Sequence, residues 1–183
     1  MIKAKSSNTR AGFEKLKDFL EGFEEDDLKH LRHLSFVNFN NHLTKTFALL
    51  NHNDFELDTL EILTSQMGNL SLWKEFTAKH THKLRQFTAN GFRFPHKALV
   101  EFVPVSNLTK LVLHDSGPIR SLDWSKFDSL THLDIYYASR DIATAGAELD
   151  LVKLKLPKLT FLQLANITIN ERGNYTIITG DRL

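Results

Sequence analysis

The 183-residue chain contains no cysteine. That excludes disulfides, covalent haem attachment and thiolate zinc sites, and it argues against a secreted repeat protein whose ends are sealed by disulfide-bonded caps. Charge of one sign is lacking as well. The 23 basic and 22 acidic residues leave a net charge of +1, which gives no general attraction to nucleic acid or to an anionic membrane surface. No stretch of about 18 apolar residues occurs, so no membrane span is expected. The opening "MIKAKSSNTR" has none of the apolar centre of a secretory signal. Sequons at Asn69, Asn107, Asn166 and Asn174 do not reverse this, because three-residue patterns arise by chance and act only in the secretory pathway. The expected location is cytoplasmic or nuclear. No glycine loop able to cradle a phosphate is present, and no serine or cysteine sits in a nucleophile motif.

What the chain does have is hydrophobic residues, 42% of the total, in an uneven order. In "LPKLTFLQLANITIN" the residues Leu159, Leu162, Leu164 and Ile167 stand at offsets zero, three, five and eight. Neither the alternation of a simple strand nor the three-and-four stepping of a helix produces that order. It recurs as Leu31, Leu34, Phe36, Phe39; Leu57, Leu60, Ile62; Leu84, Phe87, Ala89; Leu108, Leu111, Leu113; and Leu130, Leu133, Ile135. The starting positions 31, 57, 84, 108, 130 and 159 lie 22 to 29 residues apart, the period of a leucine-rich repeat. Offsets three and five share one face of a short strand, and offset zero turns inward just before it. One such unit cannot close its own core, so units must stack and share one.

The segments between these strands carry core-facing stripes. "HLTKTFALLNH" offers Leu43, Phe47 and Leu50, and "LSLWKEFTAKH" offers Leu72, Trp73 and Phe76; "PHKALVEFV" begins with Pro95, suited to a first helical turn. "SGPIRSLDWSKFDS" is short and broken by Gly117 and Pro118, so a turn or a short helix is expected there; "SRDIATAGAELDLVKLKLP" has room for a helix ending before Pro157. Residues 1–27 read as a capping helix over Phe13, Leu16, Leu20 and Phe23, or as a truncated repeat whose strand is "MIKAK". Six repeats occupy 28–170, and 171–183 form a strand-like tail containing Tyr175 and Ile177.

With these six units the chain resembles the leucine-rich repeat superfamily, and its uneven lengths with Phe, Ile or Ala in place of Leu look most like the irregular repeats behind the F-box of ubiquitin-ligase substrate receptors. No F-box is evident in the first 27 residues. The asparagine usual at the ninth position is missing: Phe39 and Ser116 stand there in the first and fourth units, and Asn166 falls one place early. The resemblance implies an α/β fold, a right-handed horseshoe solenoid with a parallel concave sheet at residues 33–37, 59–63, 86–90, 110–114, 132–136 and 161–165 and helices on the convex side. It also implies a non-catalytic protein-interaction scaffold, the substrate-binding domain of a ligase receptor being one form. The alternatives are a ribonucleoprotein or RNA-export scaffold and a bacterial effector with host-like repeats.

In that geometry offsets two, four and six face outward. The columns are His33, Thr59, Gln86, Lys110, His132, Phe161; Ser35, Glu61, Thr88, Val112, Asp134, Gln163; and Val37, Leu63, Asn90, His114, Tyr136, Ala165. The first three units present mostly small and amide groups, whereas the later ones gather His114, His132, Asp134, Tyr136, Tyr137, Phe161 and Gln163, the expected footprint of another protein. Only Lys110 is permanently positive among the eighteen outward positions, which disfavours nucleic acid. His132 and Asp134, about 6.7 Å apart along one strand face, with His114 on the next strand, would suit a metal or a histidine–carboxylate pair. An open sheet excludes water poorly, so neither catalysis, cofactor nor metal is expected. The chain is read as a monomer or as a subunit of a larger complex.

Overall fold

The computed structural model describes residues 2–5, 14–15, 17–18, 21–22, 27–37, 43–63, 70–91, 105–116, 119, 122–138, 148–150, 154–171 and 174–178. It is a mixed α/β structure built on one open, seven-stranded parallel sheet. The strands are β1 (Ile2–Lys5), β2 (His33–Val37), β3 (Thr59–Leu63), β4 (Gln86–Asn90), β5 (Lys110–His114), β6 (His132–Tyr136) and β8 (Phe161–Ala165), in chain order across the sheet. The six expected strands coincide residue for residue with β2, β3, β4, β5, β6 and β8.

Equivalent offsets stand side by side. Leu34 pairs with Leu60, Leu60 with Phe87, Phe87 with Leu111, Leu111 with Leu133 and Leu133 with Leu162. Because a one-residue slip would turn every apolar side chain to the other face, the burial of this column fixes the register. The backbone just before each strand reinforces it. Arg32 O accepts the N–H groups of Asp58 and Thr59, and Asp58 O, Arg85 O, Thr109 O and Thr131 O each accept two N–H groups from the following strand in the same way. Thr109, Thr131 and Thr160 add their hydroxyls, each donating to the neighbouring carbonyl at 3.0 to 3.2 Å.

One face of the sheet makes the core. Leu57, Leu60, Ile62, Leu84, Phe87, Leu108, Leu111, Leu113, Leu130, Leu133 and Ile135 are buried there. Over its first part lie two helices, α1 (Leu43–Leu50) and α2 (Leu70–His80), both at expected stripes. In α2 the buried residues Trp73, Phe76, Thr77 and His80 recur at three, one and three, whereas Lys74, Glu75 and Ala78 are exposed, as an amphipathic helix requires. Phe47 of α1 meets Phe36 edge-on at 5.7 Å, Trp73 at 5.4 Å and Phe76 at 4.7 Å. Such ring pairs add about 0.5–1.5 kcal/mol each beyond area burial. "DWSKF" folds as a short 3-10 turn, Trp124–Lys126, held by Asp123 accepting from the Ser125 N–H, in line with the short return expected there.

Several expectations need correction. β7 (Glu148–Asp150) is a strand, so no helix runs from 139 to 157; residues 139–147 lie outside the described set, as do Phe39 and the "PHKALVEFV" segment. β7 pairs in parallel with β9 (Ile167–Glu171), which pairs antiparallel with β10 (Asn174–Ile178), forming a second sheet. β9 starts within the sixth expected unit and crosses into the tail. Its Ile167, like Leu149 of β7, is fully buried in the main core, so the uneven apolar run feeds two sheets. Leu162 is the other departure: it is 45% exposed, on the last strand of the sheet, with no strand beyond β8 among the described residues. Residues 14, 15, 17, 18 and 21 are helical and Ile2–Lys5 forms a strand parallel to β2, whereas Phe13, Leu16, Leu20 and Phe23, on which the capping-helix reading rests, lie outside the described residues.

Candidate functional site

The face of the sheet opposite the core carries the outward columns. Three of the eighteen positions are closed off: Ser35 is 6% exposed, Val112 7% and Ala165 7%. Each is small and lies beside a longer side chain; Val112, for example, sits in register between Thr88 and Asp134. The remaining outward residues on β5, β6 and β8 form three rows. Lys110, His132 and Phe161 stand side by side, then Val112, Asp134 and Gln163, then His114, Tyr136 and Ala165.

Two contacts organise these rows. His132 stacks on Phe161 with ring centroids 4.0 Å apart and planes 4° from parallel. Diagonally across the strands, His114 Nε2 lies 3.1 Å from Asp134 Oδ2, both side chains only 13–14% exposed. His114 also meets Tyr136 edge-on at 5.9 Å. A period-two strand, in register with its neighbour, brings these groups together without any loop, so the surface is held by the same ladder that holds the core. Phe161 is 41% exposed and is the open end of this array; Gln163 is half-buried beside Asp134.

The electrostatics follow from the rows. Partial burial holds the His132 imidazole below its ordinary pKa of 6.5, and Lys110 in the adjacent column adds to that, while Asp134 opposes it. The ring is therefore a neutral, flat apolar surface at neutral pH. His132 is engaged with Phe161, and the histidine–carboxylate contact forms at His114 instead of at His132. Of the two imidazoles considered beside Asp134, it is His114 on the neighbouring strand that lies within hydrogen-bond distance of it.

Tyr137 is a correction. It is 4% exposed, inside the core cluster, with its phenol on the Ile119 backbone and its pKa raised first by burial and then by Asp115. It lies at offset seven, one step past the strand, where the chain leaves the sheet and side-chain alternation ends. The Tyr137 N–H donates to Ala165 O at 3.2 Å. Of the seven residues expected at the footprint, the exposed face brings together six, and Tyr137 holds up its edge from behind.

Sequence reasoning missed two features here. Lys110 was placed in the column but not in the footprint, although register puts it directly beside His132. The second feature is at offset seven, one place before the missing asparagine: Gly91, Asp115 and Asn166 all adopt positive φ there, 63°, 48° and 54°. Only glycine, or Asx with its short local hydrogen-bonding side chain, takes that conformation readily. Asp115 Oδ1 accepts from Ala138 N–H, and Asn166 Nδ2 donates to Tyr137 O, both at 2.6 Å, tying each strand end to the neighbouring connection. No helix among the described residues is long and apolar enough to cross a membrane. The chain matches no model of a known protein family, no curated protein and no solved structure.

Proposed function

We propose that this chain is a non-catalytic protein-binding scaffold of leucine-rich-repeat type, a right-handed solenoid whose outward sheet face on β5, β6 and β8 docks another protein. The observation that carries the reading is the ordered array of His132 stacked on Phe161 beside His114, Asp134 and Tyr136, aromatic area and polar groups fixed in advance by the strand ladder. Rings held in place lose little rotamer freedom on binding, which is why such clusters dominate protein interfaces. A substrate-receptor role beside a ubiquitin ligase, in the cytoplasm or nucleus, is the form of this function that the sequence resemblance favours. A nucleic-acid scaffold is disfavoured by a face with Lys110 opposed by Glu61 and Asp134.

Affinity capture with the intact protein, run in parallel with a Tyr136→Ala, Phe161→Ala double variant, tests this. The expected result is a protein recovered by the wild type and depleted with the variant, with ligase subunits among the recovered proteins if the receptor form holds. Recovery of RNA that survives loss of both rings would favour the ribonucleoprotein reading and contradict this one.

A further inference from the structure

The open edge of β8 points to a second binding site, distinct from the outward face. On every inner strand the offset-three residue is sealed: Leu34 is 2% exposed, and Leu60, Phe87, Leu111 and Leu133 are each 0% exposed. Its counterpart on β8, Leu162, is 45% exposed. Leu154, Leu156, Leu159 and Leu164 beside it are only partly buried against the end of the core. At each of those inner positions the next parallel strand sets its own apolar residue opposite, which Leu162 lacks among the described residues.

The backbone repeats the message. Thr131 O takes the N–H groups of Thr160 and Phe161 and the Thr160 hydroxyl. Thr160 O occupies the equivalent place on β8, and no strand lies beyond it among the described residues. Since the Phe161 N–H is directed at β6, alternation directs those of Leu162 and Leu164 to the open edge. Edge strands in folded proteins are usually blunted by charge, proline or a bulge. Phe161–Ala165 contains no charged residue and no proline.

We propose that this edge captures an extended segment of a partner protein, which adds as a parallel strand with apolar residues two apart covering Leu162 and Leu164 and with acidic residues near its beginning. Parallel addition sets the start of the segment beside the turn that leads into β8, and the exposed Lys155 and Lys158 lie there. The charge also argues against a second copy as occupant. β8 carries no carboxylate, so pairing two copies through this edge leaves both lysines of each uncompensated. Main-chain bonds would supply affinity and the leucine pockets selectivity, the usual division in strand addition.

The probe is a blocked peptide with the sequence of residues 56–63, ELDTLEIL, which carries an apolar pair two apart and three acidic residues. Binding to the intact protein is read by fluorescence anisotropy and by amide hydrogen exchange. The expected results are saturable binding, exchange slowed at Leu162 and Leu164, and affinity reduced about tenfold or more by Leu162→Glu, whose exposed position leaves the unfolding temperature nearly unchanged. A peptide N-methylated at the residues facing β8 should not bind, although its side chains are intact. Tyr136→Ala with Phe161→Ala lies on the other face and should leave more of this binding than Leu162→Glu does, so the two sites can fail separately. Three outcomes would overturn the proposal: equal binding by the N-methylated peptide, unchanged exchange at Leu162 and Leu164, or self-association abolished by Leu162→Glu, which would assign the edge to a second copy.

Discussion

His80 makes the case at the scale of one residue. It is fully buried in α2, stacked 3.9 Å from Phe55, with Nδ1 against Phe55 O at 3.0 Å, and burial lowers its pKa to about 4. The unfolded chain binds a proton near pH 6.5, the folded one only near 4, so between those values the unfolded state holds more protons and stability falls as pH falls. A depression of that size corresponds to about 3 kcal/mol when fully expressed. Urea unfolding at pH 7 and pH 4.5 should show this loss, and His80→Phe, which keeps the ring contact, should reduce it. Tyr137→Phe removes one buried hydroxyl and should cost about 1 kcal/mol; no effect on partner binding is expected from a side chain inside the core. The affinity change traceable to His132 should fall on the acid side of pH 6.5, because its folded pKa lies below that value. Residue identity alone hid the difference between Tyr136 and Tyr137, since two adjacent tyrosines read alike until the end of the strand is known.

Elements were far more legible than residues. Offsets zero, three and five placed β2, β3, β4, β5, β6 and β8 because burial of one strand face leaves little freedom of register. α1 and α2 followed from stripes at helical spacing. β7 and β9 did not: "AELDLVKLKLP", which contains β7, has apolar residues compatible with either period, and the pairing of β7 with β9 (Ile167–Glu171), distant in the chain, is decided by tertiary structure. Position within the sheet then sets the energetic weight of an identical residue. Leu133 and Leu162 are neighbours in one column, 0% and 45% exposed. Leu133→Ala should cost about 2–5 kcal/mol. Leu162→Ala, already half in water and able to relax, should cost less than about 1 kcal/mol. Thermal unfolding of the two variants checks the order, and equal shifts would mean that β8 is covered.

At the scale of the whole molecule, one sheet does two jobs. Its inner face carries the leucine columns into a continuous core, and its outer face holds the aromatic and histidine rows in fixed register. The leucine spacing made the first legible; the second was legible as a set of columns, but not as pairs, since diagonal contacts such as His114 with Asp134 depend on side-chain rotamers. Destabilising the inner face should therefore weaken binding only by unfolding, whereas trimming the outer rows should weaken binding in a protein that remains folded. The most direct measurement is calorimetric titration of the captured partner into three folded proteins: the wild type, Tyr136→Ala with Phe161→Ala, and Thr59→Ala with Gln86→Ala. The account predicts a loss of about 2 kcal/mol or more for the aromatic pair and little change for the polar pair. Equal affinity across all three, together with loss on changing Glu75 on the exposed side of α2, would put the site behind the helices and contradict it.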